Sequence, residues 1–122
     1  MAIRFSYSDE FTKEFNRFAK KRRSIGELEW PWDFEALKLL LAEDPINNVA
    51  VERINNLWWS ITCPVYKVRK FYCQDLKNIG KIRLIYIYKE ESKEIQFVQF
   101  IEMYAKADKE NEDRERIRKY AS

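Results

Sequence analysis

Histidine is absent from the 122 residues, and the only cysteines are Cys63 and Cys73. Two thiols with no imidazole are too few ligands for a tetrahedral zinc site. The same absence excludes a Ser–His or Cys–His nucleophile pair. Acid–base chemistry in this chain therefore falls to Lys, Tyr, Glu, Asp or Cys. Long apolar runs are also missing: no stretch approaches the ~20 residues that cross a bilayer. The opening residues MAIRFSYSDE lack the apolar centre of a signal peptide, so a cytoplasmic protein with no membrane partner is expected. In that compartment both thiols are expected to be buried and reduced. An excess of one charge is lacking too. The net charge of +3 permits nucleic-acid binding without arguing for it. Repeats, low-complexity segments and domain linkers are absent, which points to one domain over residues 1–122.

What is present is apolar material. Hydrophobic residues make up 46% of the chain and aromatics 16%, enough to build a core. The densest β signal is V-Y-K-V-R-K-F-Y-C from Val65, followed after a linker by G-K-I-R-L-I-Y-I-Y ending at Tyr88. Both ends of this stretch are rich in β-branched and aromatic residues and tend to alternate in polarity, so both read as strands. Alternation puts Val65, Lys67, Arg69 and Phe71 on one face of the first strand, and Tyr66, Val68 and Tyr72 on the other. On the second strand Lys81, Arg83 and Ile85 share a face, opposite Ile82, Leu84 and Tyr86. Lys67, Arg69 and Arg83 are thus expected on one side of an antiparallel sheet. Fixed cations on a rigid sheet suit a phosphate group. Spacing alone is better explained by a solvated sheet face.

The remaining elements follow in order. Ala2–Tyr7 reads as a first strand. Ser8 reads as the N-cap of a helix with Asp9 and Glu10 in its first turn, and Phe11, Phe15 and Phe18 form its apolar stripe. Lys20, Lys21, Arg22 and Arg23 read as the solvated end of that helix. Gly26 and Pro31 mark a turn. Asp33 is placed as the cap of a second helix, with Phe34, Leu37, Leu40 and Leu41 buried and Pro45 as its stop. The two helices form an α-hairpin layered on the sheet. In Ile46–Pro64, Val51, Ile54, Leu57 and Trp58 have partial helical spacing. One of Trp58 and Trp59 is expected in the core, and the other is open to either reading. Lys89–Lys93 reads as a charged hairpin turn. Glu94–Lys106 reads as a strand apolar on both faces, hence central in the sheet. Its alternation groups Ile101 with Met103 on one face, and Phe100, Glu102 and Tyr104 on the other. Asp108 is placed as the cap of a last, surface-lying helix with Glu110→Arg114, Glu112→Arg116 and Glu115→Lys119 pairs. Solvation explains the carboxylates of this segment, and no base is evident beside Cys73. The expected fold class is α+β: a small antiparallel sheet packed against an N-terminal α-hairpin, with a short C-terminal helix.

V-Y-K-V-R (65–69), G-K-I-R-L-I-Y (80–86) and I-E-M-Y-A-K-A-D-K-E-N (101–111) resemble the toxins of the RelE/ParE superfamily. The order of strand, α-hairpin, three antiparallel strands and short helix is similar as well. The resemblance implies the toxin of a type II toxin–antitoxin pair, neutralised by a cognate antitoxin protein. RelE-like members cleave mRNA, usually on the ribosome, without a metal or other cofactor. The ribose 2′-hydroxyl attacks the adjacent phosphate and leaves a 2′,3′-cyclic end. ParE-like members share the fold but act on DNA gyrase.

Carried onto this chain, the family's basic strand positions fall on Lys67 and Arg69, and its arginine after the glycine on Arg83. The segment after the last strand holds Tyr104, Lys106 and Lys109. The chemistry needs a base, cations for the phosphorane and an acid for the leaving oxygen. Lys67 is the candidate base, because neighbouring cations favour a neutral amine. Arg69 and Arg83 are the phosphate clamp, since arginine keeps its proton. Lys106 or Tyr104 is the proton donor, and Lys70, Lys81 and Lys109 are candidates for holding the RNA backbone. Two alternatives stand beside the nuclease: a gyrase inhibitor, and an inactive member acting only through antitoxin or partner binding.

Overall fold

The computed structural model describes residues 2–24, 30–47, 51–55, 57–59, 61–71, 82–105 and 111–121. The elements are β1 (Ala2–Tyr7), α1 (Asp9–Ser24), α2 (Trp30–Glu43), β2 (Val51–Arg53), β3 (Val65–Phe71), β4 (Ile82–Glu90), β5 (Ile95–Ala105) and α3 (Arg114–Ala121). Among the described residues the fold is α+β, with three helices and one five-stranded sheet in the order β1-β5-β4-β3-β2. The sheet is mixed rather than antiparallel. β2, β3, β4 and β5 pair antiparallel, but β1 lies parallel to β5, Ala2 opposite Ile95 and Tyr7 opposite Phe100. A parallel partner needs a long crossover, and here most of the chain intervenes between the two strands. β5 is an interior strand, as its two apolar faces indicated.

Ser8 caps α1. Its Oγ accepts the Phe11 amide at 3.1 Å and donates to the Ile101 carbonyl at 3.3 Å, so the helix start is bonded to the sheet. Phe11 and Phe18 are buried and Phe15 packs against the same core. α2 starts at Trp30, three residues before the expected cap, which leaves Asp33 inside the helix. Pro31 is compatible with this start, because the first turn has no intrahelical use for its missing N–H. Phe34, Leu37 and Leu41 are buried, whereas Leu40 is exposed, since it falls to the side of their i, i+3, i+7 stripe. Beyond Glu43, Asp44 Oδ1 accepts the amides of Ile46 and Asn47 and closes the turn at Pro45.

The partial helical spacing at 51–58 has a different outcome. Val51–Arg53 is an edge strand, with Val51 opposite Val68 and Arg53 opposite Tyr66. Ile54, Leu57 and Ile61 instead pack against the second of two cores, one on each face of the sheet. Trp58 is half-buried beneath the Arg118 guanidinium, 5.3 Å from its ring, while Trp59 is 96% exposed.

The first core lies under the α-hairpin. Phe11, Phe34, Tyr86 and Phe100 meet there with ring centroids 5.2–5.9 Å apart. β4 alternates regularly: Ile82, Leu84, Tyr86 and Tyr88 face this core, and Ile85 and Ile87 face the second. β5 does not alternate regularly. Ile85 pairs with Glu102 but Tyr86 with Phe100, so β5 carries one extra residue. Phe100 and Met103 therefore face the first core, and Ile101 and Tyr104 the second. The expected grouping of Ile101 with Met103 fails at this bulge. β3 also gains a residue against β4 between Val68 and Phe71, which interrupts the alternation expected there.

α3 covers the second face. It is anchored there by Ile117 and Ala121, which are fully buried, while Arg114, Glu115, Arg118 and Lys119 stay exposed as in a surface-lying helix. Burying an isoleucine this way contributes ~2–3 kcal/mol. Asp113 caps the helix, its Oδ1 accepting the Arg116 amide at 3.1 Å. The expected cap, Asp108, lies outside the described residues, as does Glu110. The expected partners of Arg116 and Lys119 give way to carboxylates of α1. Arg116 meets Glu14 of α1 at 2.7 Å and Lys119 meets Glu10 at 3.3 Å. Glu112 precedes the helix, so it has no i, i+4 helical neighbour. The Thr62 amide donates to the Ala121 carbonyl at 3.0 Å.

Candidate functional site

The face covered by α3 is the one that carries the basic strand residues. Strand register brings them together. Lys67 of β3 lies opposite Ile85, Arg83 stands two residues from Ile85 on β4, and Tyr104 of β5 lies opposite Arg83. Cross-strand partners share a face, so all three belong to the same side of three adjacent strands. The side chains of Arg69 and Lys70 lie outside the described residues, although their backbones belong to β3. Lys81, Lys106, Lys109 and Cys73 lie wholly outside them.

The three placed residues differ in access. Lys67 is partly exposed, whereas Arg83 and Tyr104 are 6% and 5% exposed. Lys67 meets an anion where the sequence reading surrounded it with cations: Nζ lies 2.8 Å from Glu112 Oε2. Glu112 is itself only 5% exposed, and its Oε1 is 3.7 Å from Arg114. Solvation therefore does not explain this carboxylate. Burial opposes its charge, but the Lys67 hydrogen bond, the backbone and the Lys67 and Arg114 charges hold it below the ordinary carboxylate range. Glu112, Lys67 and Arg114 line a hollow of about 250 Å³ together with Glu52, Arg53 and Asn55.

Tyr104 shows the opposite shift. Burial, followed by the charges of Glu112 and Glu102, pushes its hydroxyl up to about 12, with Arg83 acting against them. It stays protonated at neutral pH and is available only as a donor of a proton. Glu102, fully buried on the β5 bulge, accepts the Asp113 amide at 2.7 Å. That bond and the Asp113 cap fix the short segment that presents Glu112 to Lys67. Glu112 and Glu102 are the members that sequence reasoning missed. A signal existed for Glu102, a lone charge in the apolar run F-V-Q-F-I-E-M-Y-A. None existed for Glu112, which looks like its charged neighbours.

Chemically, the arrangement offers an ionised carboxylate held by two cations, a buried arginine and a protonated phenol on one sheet face. Among the described residues no group of three potential metal ligands occurs, and no helix is long and apolar enough to cross a membrane. Comparison of the chain with models of protein families, with curated proteins and with solved structures gave no match.

Proposed function

We propose that this chain is the toxin of a type II toxin–antitoxin pair, of the RelE-like kind that cleaves mRNA without a metal. The reading rests on one observation, the register that sets Lys67, Arg83 and Tyr104 on one face of adjacent strands. The succession of strand, two helices, antiparallel β3–β4–β5 and short helix supports it, being the order of that family. In this reading a 2′-hydroxyl attacks the neighbouring phosphorus, and the bond to the 5′-oxygen breaks. Lys67 and Arg83 oppose the charge that builds on the phosphorane oxygens. Tyr104 gives its proton to the departing 5′-oxygen, a contribution of roughly 10²–10⁴-fold. The partners are mRNA, with the ribosome presenting it, and a cognate antitoxin protein. Mapping mRNA 5′ ends after induced expression tests this. Discrete new ends that disappear in a folded Lys67→Ala variant support cleavage at this site; an unchanged map rejects it.

The burial of Arg83 favours a second reading, a ParE-like inhibitor of DNA gyrase with no nuclease activity. Growth arrest with intact mRNA and altered plasmid supercoiling is its signature.

A further inference from the structure

The nuclease reading lacks a base. Histidine is absent, and the Lys67 head group is committed to an ion pair with Glu112 Oε2 at 2.8 Å. The carboxylate at the other end of that contact is the group able to accept a proton. It sits in the wall of a hollow of about 250 Å³ that also carries Lys67, Arg53 and Arg114. Its position is fixed through the next residue, Asp113, whose amide donates to Glu102 and whose side chain caps α3. We propose that Glu112 is the general base of the cleavage and that Lys67 holds both Glu112 and the scissile phosphate. This inference rests on the nuclease reading above.

The step balances. A Glu112 carboxylate oxygen takes the 2′-hydroxyl proton, and the 2′-oxygen forms a bond to phosphorus. The bond from phosphorus to the 5′-oxygen breaks, and that oxygen leaves with the Tyr104 proton. The products are a 2′,3′-cyclic phosphate and a 5′-hydroxyl, and solvent restores both protein groups. Burial and charge set Glu112 and Tyr104 apart in the direction such a division of labour needs, one ionised and one protonated at neutral pH. The charged or titratable groups facing Glu112 are Glu52 and Arg53 of β2, Lys67 of β3, Tyr104 of β5 and Arg114 of α3. Glu52 stands opposite Lys67 across the β2–β3 pair and is exposed, whereas the Glu112 side chain is shielded.

The test uses the full chain, ribosomes programmed with a defined mRNA, and the same mRNA carrying a 2′-deoxy residue at the cleaved position. Glu112→Gln is expected to lower the cleavage rate about 100-fold or more. Affinity for the 2′-deoxy message should stay within about threefold, and the acid limb of the pH–rate profile should vanish. An unchanged or faster Glu112→Gln variant overturns the proposal, since the carboxylate then only fills the hollow. If that variant melts early, Glu112→Asp decides, because it keeps the charge but retracts the carboxylate. A rate loss of tenfold or more at unchanged affinity supports the assignment, and an unchanged rate overturns it. Absence of cleavage by the unaltered protein fails the nuclease reading itself, a result distinct from a variant that cleaves as well as its parent.

Discussion

Arg116 and Glu14 stand 102 positions apart in the chain and 2.7 Å apart in the fold. The same guanidinium nitrogen donates to the Ile101 carbonyl at 3.1 Å, and Glu14 Oε1 also accepts the Met103 amide at 3.1 Å. One carboxylate thus joins α1, β5 and α3.

Arg116→Met keeps the aliphatic length and removes both donations. Arg116 and Glu14 are mostly shielded, with 16% and 17% side-chain exposure. A loss of about 1–3 kcal/mol is expected, below that of a fully buried pair. Urea denaturation followed by circular dichroism measures it, and a midpoint equal to the parent's contradicts the joint.

Glu10 contributes a dependence on acid. The Tyr120 hydroxyl, its largest influence, together with the backbone and Lys119, holds the carboxyl at about 2 instead of 4.5. A group depressed on folding stabilises above its unfolded value, and that contribution disappears as the pH falls from about 4.5 to about 2. Glu10→Gln is expected to flatten stability against pH in that window, lowering it near pH 7 and leaving it unchanged near pH 2. Tyr120→Phe should move the Glu10 titration, followed by carboxyl NMR, back towards 4.5.

Ser8→Ala removes the acceptor of the Phe11 amide and the donor to Ile101 together. A cost of about 1–2 kcal/mol is expected. Ser8→Asp restores the cap acceptor but not the donor, so it should recover only part of that loss.

The two neighbouring tryptophans should separate cleanly. Trp59→Phe is expected to stay within about 0.5 kcal/mol of the parent. It should also remove the component of fluorescence that acrylamide quenches most strongly. Trp58→Phe loses part of a packed surface under Arg118 and should cost more. Equal quenching in both variants contradicts the difference in exposure.

Local chemistry made part of this fold legible. Ser8 followed by two acids and an aromatic stripe specifies a capped helix whatever lies nearby. The alternation of β4 survives because every residue pairs without interruption from Ile82 to Glu90 on its own strand. The bulge in β5 was not legible, because it is a relation between two strands and leaves no mark in F-I-E-M. The ion pairs of α3 were misread for a related reason. Glu112, Arg116 and Lys119 have the spacing of self-sufficient helix pairs, yet each finds a partner on another element. Spacing encodes neighbours within a helix and is silent about competitors that folding brings near. In the site, the shared face of Lys67 and Arg83 followed from alternation, whereas the carboxylate beside Lys67 arrives from 45 residues downstream.

β1 is bonded along one side only, to β5, with partners 93 positions away such as Ala2 and Ile95. During synthesis β1 emerges with no edge to join, because β5 is made only after α1, α2, β2, β3 and β4. The helices that follow β1 can form on their own, but the sheet that receives them closes late. Nascent chains held on a stalled translation complex before Ile95 should therefore leave the amino-terminal strand open to proteases, and release of some thirty further residues should close it.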